Sequence, residues 1–406
     1  MFYNRYTLPN GLRIIHQSNA SKVTYCGFAV NAGTRDEAEN ESGLAHFVEH
    51  LIFKGTQKRK AWHILNRMEN VGGDLNAYTN KEETMIYSAF LNAHFERAVE
   101  LLVDIVFNST FPQHEIDKEV DVVLDEIQSY EDSPSDLIFD DIERMIFDTH
   151  PLGRYILGNA SVLSGIQSLD AKQYVSRYYQ PENMVFFVLG DIDFEEVIAV
   201  LRPYFDAIPN APVLLDRQKP SCYTPQRMAK KKDTNQAHVM IAAPSYPMLS
   251  PKRVALSLLN NVLGGPGMNS RLNIELRERR GYVYNVESNI MTFTDAGIFS
   301  IYFGTDFKNR DHCVDLTLKE LAKLRNNKMS TLQLTRAKNQ LMGQLGVAED
   351  NNESRALGMG RAFLHLDDYK PLTHIYKDID ALTPEFLQDV ANEVFCESQL
   401  SFLLYE

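Results

Sequence analysis

Two imidazoles and a carboxylate fall within five residues in His46-Phe47-Val48-Glu49-His50. On a helix, positions four apart share one face, so His46 and His50 can reach a single metal ion. Glu49 can then turn its carboxylate toward water in an open coordination position. The chemistry such a set could do is hydrolysis. A pattern this short also arises by chance, because a His pair on an apolar helix serves packing or faces solvent. The rest of the chain has to supply a third ligand and a scaffold.

A catalytic zinc takes three protein ligands and a water. Ile116, Val120, Val123, Leu124 and Ile127 mark one apolar helical face. Glu119 and Glu126 border it and lie within about 20° of each other around the axis, whereas Asp121 and Asp125 point to the opposite side. One of the two glutamates suits a ligand and the other its support. The alternative is that both are stripe-edge carboxylates in solvent.

The elements that must position these groups begin with a hairpin, 6–8 and 12–15, around Pro9-Asn10-Gly11. Strands follow at 23–30, 77–79 and 84–90, with the His-x-x-Glu-His helix after the first of them. Helices at 95–106 and 116–127 are separated by a break near Phe111-Pro112, and 185–189 is a buried strand before a helix at 194–204. The order then repeats: strand 237–243, helix 253–263, strands 282–291 and 297–303, helices 312–324 and 332–345. Glu131-Asp132 recurs as Glu349-Asp350, a shift of 218, which sets His46 to His50 against Gly264-Gly265-Pro266-Gly267-Met268 and Glu126 against Gln344. The strands between do not hold that register, so compensating insertions are required. Segment 209–229, with Pro209, Pro212, Pro220 and Pro225, reads as an extended linker between domains 1–208 and 230–406. The expected fold class is α+β: two homologous domains, each a mostly antiparallel sheet packed with helices. Only the first carries metal-binding residues.

A net charge of −13 argues against nucleic acid, which needs a basic surface. No run approaches the roughly 18 apolar residues of a membrane span, and Met1 to Tyr6 lacks the apolar core of a signal peptide. Cys26, Cys222, Cys313 and Cys396 are scattered, so they read as reduced, mostly buried thiols and the protein as cytoplasmic. Gly264-Gly265-Pro266-Gly267 lacks the Lys-Ser/Thr ending of a phosphate loop. His63, His94 and His238 show no ligand spacing and read as core or surface residues. Trp62 reads as packing or a cleft wall, and Arg279 and Arg280 as surface charges.

In sequence, the chain resembles the pitrilysin, insulin-degrading enzyme and mitochondrial processing peptidase family of zinc metallopeptidases, at the length of its short bacterial members. The motifs that carry the likeness run from Leu8-Pro9-Asn10-Gly11-Leu12 and Ala32-Gly33-Thr34-Arg35-Asp36-Glu37 through the His-x-x-Glu-His helix to Asn76-Ala77-Tyr78-Thr79. They continue in Glu119 with Glu126, in Tyr178-Tyr179-Gln180-Pro181-Glu182-Asn183-Met184, and in Leu276-Arg277-Glu278-Arg279-Arg280-Gly281-Tyr282-Val283-Tyr284.

The resemblance implies one Zn2+ per chain held by His46, His50 and Glu126, with Glu49 as general base and Glu119 as a carboxylate orienting a ligating His. It implies that Arg277 and Tyr284 act on the substrate main chain and the developing oxyanion. Asn76 and Ala77 would offer a strand edge to an extended peptide. It further implies half of a clamshell. Two chains would pair as a homodimer, the zinc domain of one facing the Arg277/Tyr284 domain of the other and enclosing unfolded peptides; an unlike partner chain is the alternative. Three activities compete: a general endopeptidase, a peptidase that trims one precursor, and a catalytically silent structural subunit. The complete set His46, Glu49, His50 and Glu126 speaks against the last.

Overall fold

The computed structural model describes residues 3–406 apart from Ala207, Asn210 and Cys222, so the expectation for the Cys222 thiol lies outside the described residues. The chain forms two compact units. The first comprises Met1–Gln128, Arg154–Arg217 and Ala348–Tyr369, and the second Ser129–Gly153, Gln218–Val347 and Lys370–Glu406.

In chain order the elements of the first half are β1 (Asn4–Thr7), β2 (Arg13–Ser18), β3 (Val23–Val30), α1 (Leu44–Leu51), α2 (Ala61–Glu69), β4 (Asp74–Thr79) and β5 (Thr84–Leu91). They continue with α3 (Phe95–Phe107), α4 (Gln113–Glu131), α5 (Pro134–Phe147), α6 (Ala160–Leu163), α7 (Ser168–Tyr178), β6 (Met184–Gly190) and α8 (Phe194–Phe205). The strands form one sheet in the order β1-β2-β6-β3-β5-β4. Only the β2–β6 pair is parallel.

The period of two along each strand sorts side chains to opposite faces. Cys26, Phe28 and Val30 with Met184, Phe186 and Val188 join the core beneath α1, α3 and α7. The alternate residues, among them Ala29, Val185, Phe187 and Leu189, pack against Ala356, Met359 and Phe363.

Those last residues belong to α12 (Asn352–Leu366), a helix from the other half of the sequence. The second half runs β7 (Arg227–Lys230), β8 (Ala237–Pro244), α9 (Arg253–Gly264), a π-helical turn at Asn273–Glu278, β9 (Val283–Thr292) and β10 (Gly297–Thr305). α10 (Arg310–Asn326), α11 (Thr331–Ala348), α12, α13 (Leu372–Asp380), α14 (Pro384–Val394) and β11 (Ser401–Tyr405) follow. Its sheet is ordered β7-β11-β8-β10-β9, again with one parallel pair, β7–β11. Val239, Ile241, Phe299 and Ile301 face one core, while Met240, Ala242, Ile298 and Tyr302 pack on Ile138, Ile142 and Met145 of α5.

The compact units do not follow the expected contiguous bounds 1–208 and 230–406: β7 starts inside the expected linker, α12 belongs to the first unit and α5 to the second. Each sheet receives on its second face a helix from the opposite half. Polar contacts fasten both. Glu83, buried on the first sheet, meets His365 at 3.0 Å and Arg361 at 3.1 Å, and Tyr87 donates to Glu353 at 2.8 Å. Gly360 lets α12 approach closely, because a Cβ there would meet the Phe187 ring at 2.6 Å. On the second sheet Tyr405 donates to the buried Asp141 of α5 at 2.6 Å, and Lys230 pairs with the same carboxylate.

The expected linker 209–229 is also tighter than its prolines suggest. Arg217 clamps Asp36 through two nitrogens at 2.8 and 2.7 Å and donates to the Glu82 carbonyl, and β7 already begins at Arg227. Among the described residues no helix is long and apolar enough to cross a membrane.

The repeat is real in element order, but its register drifts. β3 and β8 start at 23 and 237, 214 apart, and β5 and β10 at 84 and 297, 213 apart. Only from α4 and α11, at 113 and 331, does the offset reach the expected 218. Offsets of 213 and 214 set His46 to His50 against Leu259 to Leu263 or Asn260 to Gly264, within the last turns of α9. The expected counterpart, Gly264 to Met268, falls at the helix end and the loop beyond it.

Candidate metal centre

Helix α1 is only two turns long, yet all its residues except His50 are buried. Its start is fixed from outside. Gly43 caps it at φ 92°, a left-handed conformation that favours glycine. The Glu37 carboxylate accepts from the Gly43 N–H at 3.0 Å and the Ala45 N–H at 2.8 Å, taking two of the donors a helix start leaves unpaired. Burial pushes the Glu37 carboxyl up to about 8, while those N–H groups and Arg154 pull the other way.

One turn separates His46 from His50, and their rings stand 4.6 Å apart at 64°. Both Nε2 atoms face the Glu126 carboxylate of α4, at 3.9 Å from His46 and 3.7 Å from His50. Ligand atoms of the three lie within 4.8 Å of one another. These separations are too long for hydrogen bonds. Bonds of about 2.0–2.1 Å at tetrahedral angles would space ligand atoms by about 3.3–3.4 Å, so the set stands somewhat wider than it would around an ion and must draw in to hold one. Two imidazoles and a carboxylate fit zinc in type and number.

The second nitrogen of each ring differs. His50 Nδ1 bonds Glu119 at 2.9 Å, and the other Glu119 oxygen pairs with Lys54 at 2.6 Å. The bond places the proton on Nδ1 and leaves the Nε2 lone pair for a ligand. His46 Nδ1 is buried without a hydrogen-bond partner among the described residues. Burial, with the neighbouring His50, pulls the His46 pKa down to about 4, which keeps the ring neutral as a ligand must be. For His50, burial pulls down but the Glu119 hydrogen bond and the charges of Glu49, Glu119 and Glu126 outweigh it, so its pKa is raised. Glu119 moves the other way: burial raises it, and His50 with Lys54 brings it below the usual carboxylate range.

Glu49 lies at the floor of this group, 9% exposed, and Thr79 of β4 donates to its Oε2 at 2.7 Å. Burial raises the Glu49 pKa against that hydrogen bond, toward the range in which a carboxylate can both take and return a proton.

The first unit thus brings together His46, Glu49, His50, Glu119 and Glu126. Asn76 and Ala77 sit on β4, opposite Tyr87 and Ile86 of β5, and β4 ends its sheet. Arg277 and Tyr284 belong to the second unit. Arg277 stands exposed on the π-helical turn, and Tyr284 is 93% exposed on β9, the end strand of its sheet. Arg279 and Arg280, expected as surface charges, both hold the buried Glu275, at 2.9 and 2.7 Å. Trp62 is 59% exposed and its ring lies 3.6 Å from that of His63. His238, which the sequence left as core or surface, is buried and bonded to the Tyr302 hydroxyl at 2.9 Å.

Sequence reasoning gave no role to Glu37, Lys54 or Thr79. Lys54 stands four residues past His50, the spacing already used to pair His46 with His50, and was legible on that ground. Thr79 and Glu37 act across the fold and left no local signal.

Two family models match in tandem: Insulinase (Peptidase family M16) over residues 13–160, and Peptidase M16 inactive domain over residues 166–341. The chain is 32% identical over 394 residues to a protein of Bacillus subtilis named uncharacterized zinc protease YmxG, covering 97% of this chain and 96% of that one. It is 30% identical to the probable mitochondrial-processing peptidase subunit beta of Arabidopsis thaliana, covering 97% and 76%. The chain belongs to the M16 peptidase family, in its short bacterial form. Two solved structures share the fold: a peptidase M16 inactive domain from Pseudomonas fluorescens, with TM-score 0.92, 20% identity and 100% and 98% of the two chains covered, and a protease from Helicobacter pylori, with 0.89, 23%, 100% and 99%.

Proposed function

We propose that this protein is a zinc-dependent endopeptidase acting on unfolded peptides, with one Zn2+ per chain held by His46, His50 and Glu126. The observation that carries the reading is the convergence of both Nε2 atoms on the Glu126 carboxylate, with a buried Glu49 beside them. Zinc, when bound, supplies Lewis-acid chemistry: it acidifies water toward neutrality and polarises a carbonyl.

Every other part falls to the chain. Thr79 fixes Oε2 of Glu49, leaving Oε1 to take a proton from the attacking water and hand it to the leaving amine. Glu119, itself held by Lys54, fixes the His50 ring and tautomer. β4 offers main-chain groups along its outer edge at Asn76 and Ala77, where an extended peptide can join as a strand with little demand on its sequence. Arg277 and the Tyr284 phenol would serve the substrate main chain and the developing oxyanion. Their place on the other unit fits a homodimer in which each chain completes its partner's site within a closed chamber. The acidic charge and scattered cysteines support a cytoplasmic setting.

A second reading, removal of an extension from one precursor, is favoured by the likeness to the mitochondrial-processing peptidase subunit, whose name also supports an unlike partner chain. Cleavage of a quenched-peptide library, with bound metal counted and Glu49→Gln run beside it, tests both. Chelator-sensitive cuts at many sites support the endopeptidase, and cuts at one site in one peptide support processing. A folded, zinc-loaded chain that cleaves nothing, alone or with candidate partners, would mean a silent subunit.

A further inference from the structure

The repeat predicts where a counterpart of the metal centre should lie within the second unit. α9 stands where α1 does in the first, and α11 where α4 does. A pocket of about 240 Å³ opens beside these two helices at Ala337, lined by Asn261 of α9, Ser270 of the following loop, Arg271 at the start of the next helical turn, and Gln333, Arg336 and Gln340 of α11. Its charge is reversed. The first unit gathers carboxylates and imidazoles at this place, whereas here two guanidiniums stand in a wall that contains no Asp or Glu, in a chain of net charge −13. At the offset of 218, Ala337 replaces Glu119 and Gln344 replaces Glu126.

Three features mark the pocket as built. Ser270 and Asn261 are 2% and 6% exposed, and Ser270 Oγ and Asn261 Nδ2 have no hydrogen-bond partner among the described residues. A buried donor left so is costly unless something accepts from it. Second, the guanidiniums are under-committed. Arg271 has Glu320 only at 3.9 Å, and Glu320 is already taken by Lys323 at 2.5 Å. Third, the loop is held to α11 by a reciprocal amide pair, Asn269 with Gln340, both bonds 3.0 Å.

We propose that this pocket binds a small oxyanion, a carboxylate or a phosphate group. Arg271 and Arg336 supply the charge, and Ser270 Oγ and Asn261 Nδ2 donate to the oxygens. Two guanidinium forks match such a group, whereas a neutral ligand would leave both charges unanswered.

The test is calorimetric titration of the full chain at low ionic strength, carried in the Glu49→Gln background so that no peptide probe is consumed. The probes are inorganic phosphate and an acetylated tripeptide, the latter as free acid and as amide. Binding should be saturable, weakened roughly 10-fold or more by Arg336→Ala and partly restored in Arg336→Lys. Lys58→Ala, a cation removed from the first unit, should leave it unchanged. Arg336 is exposed on a helix, so its loss should spare the fold, which circular dichroism checks. Preference for the free acid over the amide would name a peptide C-terminus as the source of the group, and binding of phosphate with no such preference a free anion. No saturable binding, or binding untouched in Arg336→Ala, overturns the proposal. The readout is independent of turnover, so a chain without peptidase activity could still pass it.

Discussion

α1 and α9 occupy matching places in the two units, and their interiors differ in kind. α9 buries Leu256, Leu258, Leu259 and Leu263 around a single amide, Asn261, and needs no charged support. α1 buries His46 and Glu49 on two turns, and titratable groups so placed are costly unless paired. The supports are all present in the first unit: Glu37 at the helix start, Thr79 on Glu49, Glu119 with Lys54 on His50. One scaffold therefore tolerates either interior. What distinguishes the armed copy is the ring of groups around the helix as much as the helix itself.

The sharpest way to break this contrast is Glu49→Gln, which keeps the volume and removes the proton acceptor. Peptide turnover should fall by about 10²–10⁴-fold with metal content unchanged. Retained turnover in a zinc-replete variant would remove Glu49 from the mechanism. Tyr284→Phe asks whether the second unit contributes chemistry. An oxyanion donor is worth about 10²–10³-fold in kcat, so a variant with zinc retained and rate unaltered would leave Tyr284 no such role. Mixing Glu49→Gln chains with Arg277→Ala chains then asks where the two sets meet. If sites form across a homodimer, mixed dimers regain one intact site and measurable activity. Inert mixtures despite demonstrated subunit exchange would place both sets in one chain or call for an unlike partner.

Smaller effects sharpen the role of the supports. Glu119→Gln should weaken zinc affinity by about 10–100-fold, measured by competition with a chelator, with folding retained. An unchanged affinity would reduce Glu119 to surface charge pairing. The helix exchange has its own signature in acid. Burial alone would raise the Glu83 pKa, but the His365 hydrogen bond and Arg361 outweigh it and hold the carboxyl below its usual range. A depressed folded pKa contributes stability that is complete above the ordinary carboxylate range, about 4.3, and lost as pH falls through the folded value. Glu83→Gln should cost about 3 kcal/mol near neutrality and flatten the acid limb of the stability profile. If acid denaturation curves of the two proteins run parallel, the Glu83 cluster is not a pH-dependent fastening.

Much of this was legible in the chain. The central strands were legible as short apolar runs, and β6 and β10 are buried on both faces, while the pairing of His46 with His50 followed from helical spacing. Glu119 and Glu126 followed from their place beside the Ile116 to Ile127 stripe. The resemblance then assigned their separate parts; in the structure Glu119 bonds His50 and Glu126 faces both rings. What escaped is non-local. An amphipathic helix carries no mark of which sheet it will cover, so the exchange of α5 and α12 could not be read from 134–147 or 352–366. The drift from 213 to 218 between the repeats accumulates in loops, where length is cheap, and so a single offset misplaced the counterpart of α1. Prolines in 209–229 signalled an extended run, yet one residue within it, Arg217, decides that the run lies docked.

The exchanged helices also bear on modularity. A gene fragment ending at 208 would encode every residue of the candidate metal centre yet leave Ile15, Met85, Val185 and Phe187 bare on one sheet face, a broad sticky surface without α12. Its companion would lack α5 over Met240 and Tyr302. Neither half is a free-standing cassette. Recombination can trade this protein only as an undivided pair, and a nick in 209–229 should leave two pieces that stay together until the chain is denatured.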